Sequence, residues 1–403
     1  MLWSMKKRAY RVNQRVMKAA SLMLPFPQPV VLSGPGSVAK LAENISIRGL
    51  EHVLVVTDRV LVELGLVDGL LRSLEEHGVR HTVFAEVQPN PTIENVEQGR
   101  AVYRDKGCDG IVGFGGGSPM DCAKIIGARV GNPFMSVRMM KGLFKVFLPI
   151  PPLFCVPTTA GTGSEITIVG VITDAKTHEK FAISDLKLTP KIAVLDPTLM
   201  VGLPPHITSS TGMDALTHAV EAFIGLNGSP YTDEKALEAT RLIMASLEKA
   251  YLDGSDLQAR TDMALASLYG GAAFTRAYVG YVHAIAHNMG GLYGVPHGLA
   301  NAIILPHVLE FCRHDAQAKL AALARAGGIG SPGEDEEALA RAFIEQIKGM
   351  NQRMGIPTTI AQLRAEDIPL IARRALAEAH PEYPVPTIMS LAECEALVRG
   401  LLA

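Results

Sequence analysis

Asp214 and His218 stand four residues apart in Gly212-Met213-Asp214-Ala215-Leu216-Thr217-His218-Ala219-Val220-Glu221. The segment reads as helix, so the two side chains share one face. Met213, Ala215, Leu216, Ala219 and Val220 are apolar, which predicts that this face is buried. A buried Asp needs a partner, and a cation answers the carboxylate and the imidazole together. His283 and His287 repeat the spacing in Tyr281 to His287, and Pro296-His297-Gly298 adds an imidazole from a turn. A single histidine in such surroundings is ordinarily a core residue, but several together predict a metal site. A carboxylate with imidazoles suits Fe²⁺ or Zn²⁺ alike. Spacing leaves open whether His283, His287 or both face the ion. His307 follows Pro306 and is read as structural, preceding a helix. His52, His77, His81, His178, His206, His314 and His380 form no convergent pattern.

Two glycine loops suggest a phosphate-bearing ligand. Phe114-Gly115-Gly116-Gly117-Ser118-Pro119-Met120-Asp121 follows a strand pattern and opens a helix. Glycines admit a ligand close to the backbone. Ser118 is placed at the N-cap, Pro119 at the first helical position and Asp121 at the third, a capping-box arrangement. Open N–H groups and the helix dipole there suit a pyrophosphate. The run is not G-x-G-x-x-G, so the usual dinucleotide fingerprint is absent. The second loop, Pro157 to Glu165, follows Leu153 to Val156 and offers the hydroxyls of Thr158, Thr159, Thr162 and Ser164. Asp58, ending Val56-Thr57-Asp58, can accept from a ribose diol and repel a 2′-phosphate, which favours NAD over NADP. Capping a helix is an equally good use of that carboxylate.

The elements that position these groups change character along the 403 residues. Strand patterns at His52–Val56, His81–Glu86, Gly110–Phe114, Leu153–Val156 and Ile192–Leu195 alternate with helical ones, including Val60–His77, Ile93–Lys106 and a helix from Pro119. That alternation implies a parallel, doubly wound sheet. Beyond about residue 200 helical periodicity takes over, as in Thr232–Tyr251, Asp256–Phe274, Ala316–Arg325 and Glu334–Met354. The expected fold is therefore an α/β Rossmann-like nucleotide-binding domain over 29–200 and an all-α metal and substrate domain over 201–403. A basic, acid-free extension over 1–28 reads as a retained surface helix from Arg8 to Leu24 rather than a Ser-rich transit peptide. Lys and Arg total 38 against 40 Asp and Glu, which leaves no electrostatic footprint for nucleic acid. Four prolines in Val146–Ser164 and four histidines in the charge-free Ala277–Leu309 argue against membrane spans. Five scattered cysteines without a CxxC pair point to a reducing compartment, hence the cytoplasm.

Gly115-Gly116-Gly117-Ser118 with Asp121-Cys122-Ala123-Lys124, the Pro157–Glu165 loop, Gly212–Glu221 and His283–His307 together resemble the iron-containing (group III) alcohol dehydrogenases. The resemblance covers the chain from about Val30 onward. It implies reversible hydride transfer between an alcohol and NAD⁺, giving an aldehyde or ketone, with the metal as Lewis acid on the alcohol oxygen. It places the ligands of Fe²⁺, alternatively Zn²⁺, on Asp214, His218, His283 and His297, and proton transfer on His287. Cofactor contacts fall on Asp58, Asn90, Gly116, Gly117, Ser118, Thr158, Thr159, Thr162 and Lys180. Phe274 and Val169 fall in the substrate pocket, Val169 where some relatives carry a polar residue. A homodimer acting on a small alcohol or aldehyde is implied. Two rival readings on the same architecture are a hydroxyacid–oxoacid transhydrogenase and a dehydroquinate-synthase-like lyase using NAD and zinc.

Overall fold

The computed structural model describes residues 2–177, 179–331 and 333–403. Met1, His178 and Pro332 lie outside the described residues, and with them the reading of His178. Two units separate by internal contacts: an α/β unit of residues 26–203 and 254–264, and a helical unit of 204–253, 265–403 and the N-terminal residues up to Pro25.

In the α/β unit, strands β1 (Val30–Ser33), β2 (His52–Val56), β3 (Arg80–Phe84), β4 (Gly110–Gly115), β6 (Leu153–Pro157) and β9 (Ile192–Leu195) form one parallel sheet in the order β1-β9-β6-β4-β2-β3. Its central strands are apolar on both faces, as helix-covered parallel strands must be. Along β2, Val53 and Val55 join one core layer with Phe114, Val156 and Ile192, while Leu54 and Val56 join the other with Ile111 and Leu153. Helices α2 (Ser37–Ile47), α3 (Arg59–Glu63), α4 (Asp68–Glu76), α5 (Ile93–Lys106) and α6 (Gly117–Gly131) connect the strands. The single helix expected over Val60–His77 is instead α3 and α4. The break comes at Gly65, whose φ of +68° closes α3 in the left-handed region. A small sheet of β5 (Gly142–Leu143), β8 (Glu179–Ser184) and β7 (Val169–Asp174) has no counterpart in the sequence reading.

The helical unit contains α1 (Leu2–Leu22), α7 (Pro205–Ile224), α8 (Pro230–Leu252), most of α9 (Leu257–Ala277), α10 (Tyr281–Tyr293), α11 (His297–Cys312), α12 (Gln317–Ala326), α13 (Glu336–Arg353), α14 (Ile368–Ala379) and α15 (Leu391–Arg399). The expected fold class is thus the one that forms. Helix α7 is buried on nearly every side from Thr208 to Ile224, where hydroxyl side chains bond back to the helix's own carbonyls and, apart from its functional groups, apolar ones fill the rest. Pro306 lies inside α11, and His307 is therefore within a helix, not ahead of one. No helix among the described residues is long and apolar enough to cross a membrane.

Gly298 sets how closely α11 approaches α7. A methyl there would overlap the Ser210 carbonyl and come within 3.2 Å of the Asp214 Cβ. Gly298→Ala should therefore cost about 1–3 kcal/mol in urea unfolding, the usual range for overpacking. Wild-type stability in that variant would mean the contact yields without strain.

Candidate functional site

Asp214, His283 and His297 come together in the helical unit, each offering one donor atom within 4.8 Å of the others. Asp214 projects from α7, His283 from α10 and His297 from the first turn of α11. The Nε2 atoms of His283 and His297 stand 3.9 and 3.8 Å from Asp214 Oδ1. The Asn301 amide nitrogen lies against all three, 2.6 Å from Asp214 Oδ1 and 3.3 Å from each Nε2. One amide nitrogen thus stands among a carboxylate oxygen and two imidazole nitrogens, and the Asn301 carbonyl oxygen there has no hydrogen-bond partner. Such a donor set suits a cation: one carboxylate and two imidazoles, with no basic side chain between them. His218 is buried on the same helix as Asp214, but no atom of it belongs to that close set. Its ring stacks between Phe274 and His283, at centroid distances of 4.3 and 4.6 Å.

The orientation of His283 has an evident cause. Glu221, two turns beyond Asp214 on α7, is buried and accepts from Gly280 N at 2.9 Å, Val282 N at 2.7 Å and His283 Nδ1 at 2.6 Å. The proton therefore sits on Nδ1 and the lone pair on Nε2, toward Asp214. His287, one turn later, donates Nδ1 instead to Glu378 Oε1 at 2.8 Å, and its ring stacks on His297 at 5.3 Å. Sequence reasoning assigned nothing to Glu221, Asn301 or Glu378. Glu221 carried a signal, an acid in the apolar run Ala219-Val220-Glu221-Ala222-Phe223; so did Asn301, one turn after His297. Glu378 lies 91 residues from His287 and carried none.

In the α/β unit the expected nucleotide-contacting residues gather at strand ends. Asp58 follows β2, the triple glycine ends β4 and enters α6, and Thr158, Thr159 and Thr162 follow β6. These strands are neighbours, and the chain turns to opposite sides of the sheet after β2 and β4, the setting where open sheets bind ligands. The loops touch: a Cβ on Gly116 would lie 3.3 Å from Thr159 Oγ1, and one on Gly117 2.7 Å from Thr162 Cγ2. Ser118 Oγ accepts from Asn90 N at 3.3 Å, and Lys180 donates to Asn90 Oδ1 at 3.0 Å. Asn90 holds a left-handed φ of 58°. Asp58 caps α3, accepting from Leu61 N at 3.0 Å.

The capping box expected at Ser118 and Asp121 does not form. Gly116 is the N-cap, without a side-chain bond, so Ser118 is already helical. Asp121 instead accepts from Ser164 Oγ at 2.7 Å and Val171 N at 3.1 Å. The buried Lys124 ammonium donates to the carbonyls of Ser164, Thr167 and Val169 at 2.6, 3.0 and 2.7 Å. Helix α6 thereby pins the second loop while its own N-terminus keeps no side-chain cap, as a phosphate-binding helix start requires. Val169, at the head of β7, takes part through its carbonyl.

The family model described as "Iron-containing alcohol dehydrogenase" matches residues 28–197, and "Fe-containing alcohol dehydrogenase family, C-terminal" matches 208–401. A 1,3-propanediol dehydrogenase of Klebsiella pneumoniae is 41% identical over 351 residues, covering 86% of this chain and 90% of that protein. An NAD-dependent methanol dehydrogenase of Bacillus methanolicus is 35% identical over 379 residues, covering 94% and 99%. The crystal structure of a 1,3-propanediol oxidoreductase superposes with a TM-score of 0.90 at 39% identity, covering 94% of this chain and 99% of that one.

Two substitutions test this geometry. Glu221→Gln leaves His283 with a weaker partner and should lower affinity for the ion about 10- to 100-fold, read by chelator competition. Unchanged affinity would show that Glu221 does not govern the ligand. Glu165, wholly buried, has neither oxygen hydrogen-bonded, and burial pushes its carboxyl up to about 7. The unfolded group titrates near 4.5, so between these values the folded chain holds the extra proton and stability falls as pH rises. Glu165→Gln should remove that fall, gaining about 3 kcal/mol over wild type at pH 8 and nothing at pH 4. Equal gains at both pH values would contradict the shift.

Proposed function

The chain belongs to the iron-containing alcohol dehydrogenase family, and from that premise we propose that it reversibly oxidises a small alcohol to its aldehyde or ketone with NAD⁺. The observation that carries the reading is the convergence of Asp214 Oδ1, His283 Nε2 and His297 Nε2 on one buried point. These three side chains, with His218 as fourth, would hold Fe²⁺ or alternatively Zn²⁺. When bound, the ion supplies Lewis acidity at the substrate oxygen and NAD⁺ accepts the hydride.

The chain's own residues do the rest. Gly116, Gly117 and Ser118, with Thr158, Thr159 and Thr162, are proposed to cradle the pyrophosphate, where uncapped N–H groups and the helix dipole favour an anion. Asn90 and Lys180, already hydrogen-bonded to each other, fix the rim of that cradle. Asp58 is proposed to accept from the ribose diol with the oxygen its cap leaves over. His287, with Nδ1 donated to Glu378, keeps Nε2 open to take the alcohol's proton. Phe274, stacked on His218, contributes an apolar wall for the substrate, and the apolar Val169 favours a monohydric alcohol over a diol. A cytoplasmic homodimer fits the family resemblance, and all five cysteines are free and buried.

An NAD-coupled panel of alcohols and aldehydes, run on metal-defined protein, tests the reading. Chelation should abolish NADH formation and re-added Fe²⁺ or Zn²⁺ should restore it. Full turnover in stripped protein, or no net NADH with any alcohol, would reject it.

A further inference from the structure

Helix α1 lies outside both family matches, which begin at residues 28 and 208, yet it is wired into the back of the candidate site. Gln14, only 2% exposed, donates through Nε2 to the Tyr383 carbonyl at 2.7 Å. The Arg11 guanidinium donates to the carbonyls of Val385 and Pro386, both at 2.6 Å, and to Gln14 Oε1 at 2.8 Å. Tyr10 packs its ring on His380 at 4.8 Å. One face of α1, carrying Tyr10, Arg11 and Gln14, therefore grips the stretch from His380 to Pro386, which follows directly on α14.

That stretch holds what holds His287. Glu378, on the last turn of α14, accepts from His287 Nδ1 at 2.8 Å and from the Tyr383 hydroxyl at 2.8 Å, on the same oxygen. Burial, and then the carboxylate beside it, push the Tyr383 phenol well above its ordinary value, so it remains a donor. His380 closes the far side. Tyr281 accepts from Met389 N at 2.8 Å, which frees its own proton for His380 Nε2 at 2.7 Å. Tyr281 and His287 stand on one helix, α10, and α14 packs against it. The carbonyl groups that Arg11 and Gln14 hold are those of the turn that aims Tyr383 at Glu378.

We propose that α1 is a clamp on the 380–386 turn, through which Glu378 and Tyr383 hold His287 in one tautomer, Nδ1–H donated and Nε2 open. Glu378, Tyr383, Arg11 and Gln14 are positioning residues; none need touch substrate. The proposal rests on the reading of His287 as the proton-transfer group.

Steady-state kinetics and histidine ¹⁵N NMR on zinc-loaded protein test it, with the His287 resonances identified by their loss in His287→Ala. Glu378→Leu should lower kcat about 100-fold with metal content and KM little changed, and the Nδ1–H signature of His287 should disappear. Glu378→Gln keeps an oxygen that accepts from both Nδ1 and Tyr383, and should recover most of the rate. Arg11→Ala with Gln14→Ala should lower kcat about tenfold and broaden or shift the same resonances. Should that pair unfold the protein, Arg11→Gln, which removes the guanidinium bonds to the Val385 and Pro386 carbonyls, reads the α1 contact, and Tyr383→Phe reads the bond to Glu378. A wild-type tautomer and kcat in Glu378→Leu overturn the proposal, as does a Gln variant no better than Leu. Wild-type values in the Arg11/Gln14 pair remove α1 from it. Full turnover in His287→Ala would instead dismiss the proton-transfer reading, while the nitrogen spectra still decide whether Glu378 fixes the ring.

Discussion

Two carboxylates on one buried helix are the constraint around which the helical unit is arranged. Asp214 and Glu221 are two turns apart on α7 and nearly sealed from water. Burying an unanswered carboxylate costs several kcal/mol, so each must be met by donors. Glu221 is met completely, by two backbone N–H groups at the start of α10 and by His283 Nδ1. Asp214 is met by one neutral amide, and it faces Nε2 of His283, whose proton is on Nδ1, and Nε2 of His297. Satisfying Glu221 thus orients His283 so that Asp214 is left facing an acceptor. A cation would answer the carboxylate and both imidazoles at once, which is the argument for a metal site over a polar core.

Two buried charges of the α/β unit, Lys124 and Asp121, are met by neutral groups instead. Lys124 sits in a shell of carbonyl oxygens, and Asp121 takes a hydroxyl and a backbone N–H. The loop after β6 is therefore tied to α6 by side chains that point away from the helix start. With Gly116 and Gly117 admitting Thr159 and Thr162 at close range, the two loops pack as one surface. Side-chain groups are spent on holding the loops, and backbone groups at the helix start remain for an anion.

What the sequence could disclose follows the range of each interaction. The short apolar, β-branched run His52–Val56 and the i, i+4 pairs Asp214/His218 and His283/His287 are local, and local pattern placed them on the right elements. The capping box at Ser118 was misread because capping rules count from the first helical residue, and Gly117 is already helical. Asp121 then found a better partner 43 residues away in Ser164. The break in Val60–His77 was legible in Gly65 alone, but a glycine inside a helical pattern does not announce a left-handed φ. Asn301, Glu221 and Glu378 act across distances in sequence that no pattern covers. The basic run in α1 drew attention to Lys and Arg, whereas a buried residue of that helix is the uncharged Gln14.

The choice between His283 and His287, which spacing left open, comes down to their carboxylate partners. An i, i+4 pair puts both rings on one side of α10, so helical geometry cannot assign them different work. Glu221 takes Nδ1 of the first from α7, and Glu378 takes Nδ1 of the second from α14. Both imidazoles are thereby fixed in the same tautomer, yet they are pulled toward different helices. His283 presents Nε2 beside Asp214, while His287 is drawn away from that pair and stacks flat on His297 at 14°. The acids behind these identical side chains, and not the spacing between them, set where each nitrogen faces, which is what the proposed division into ligand and proton carrier requires.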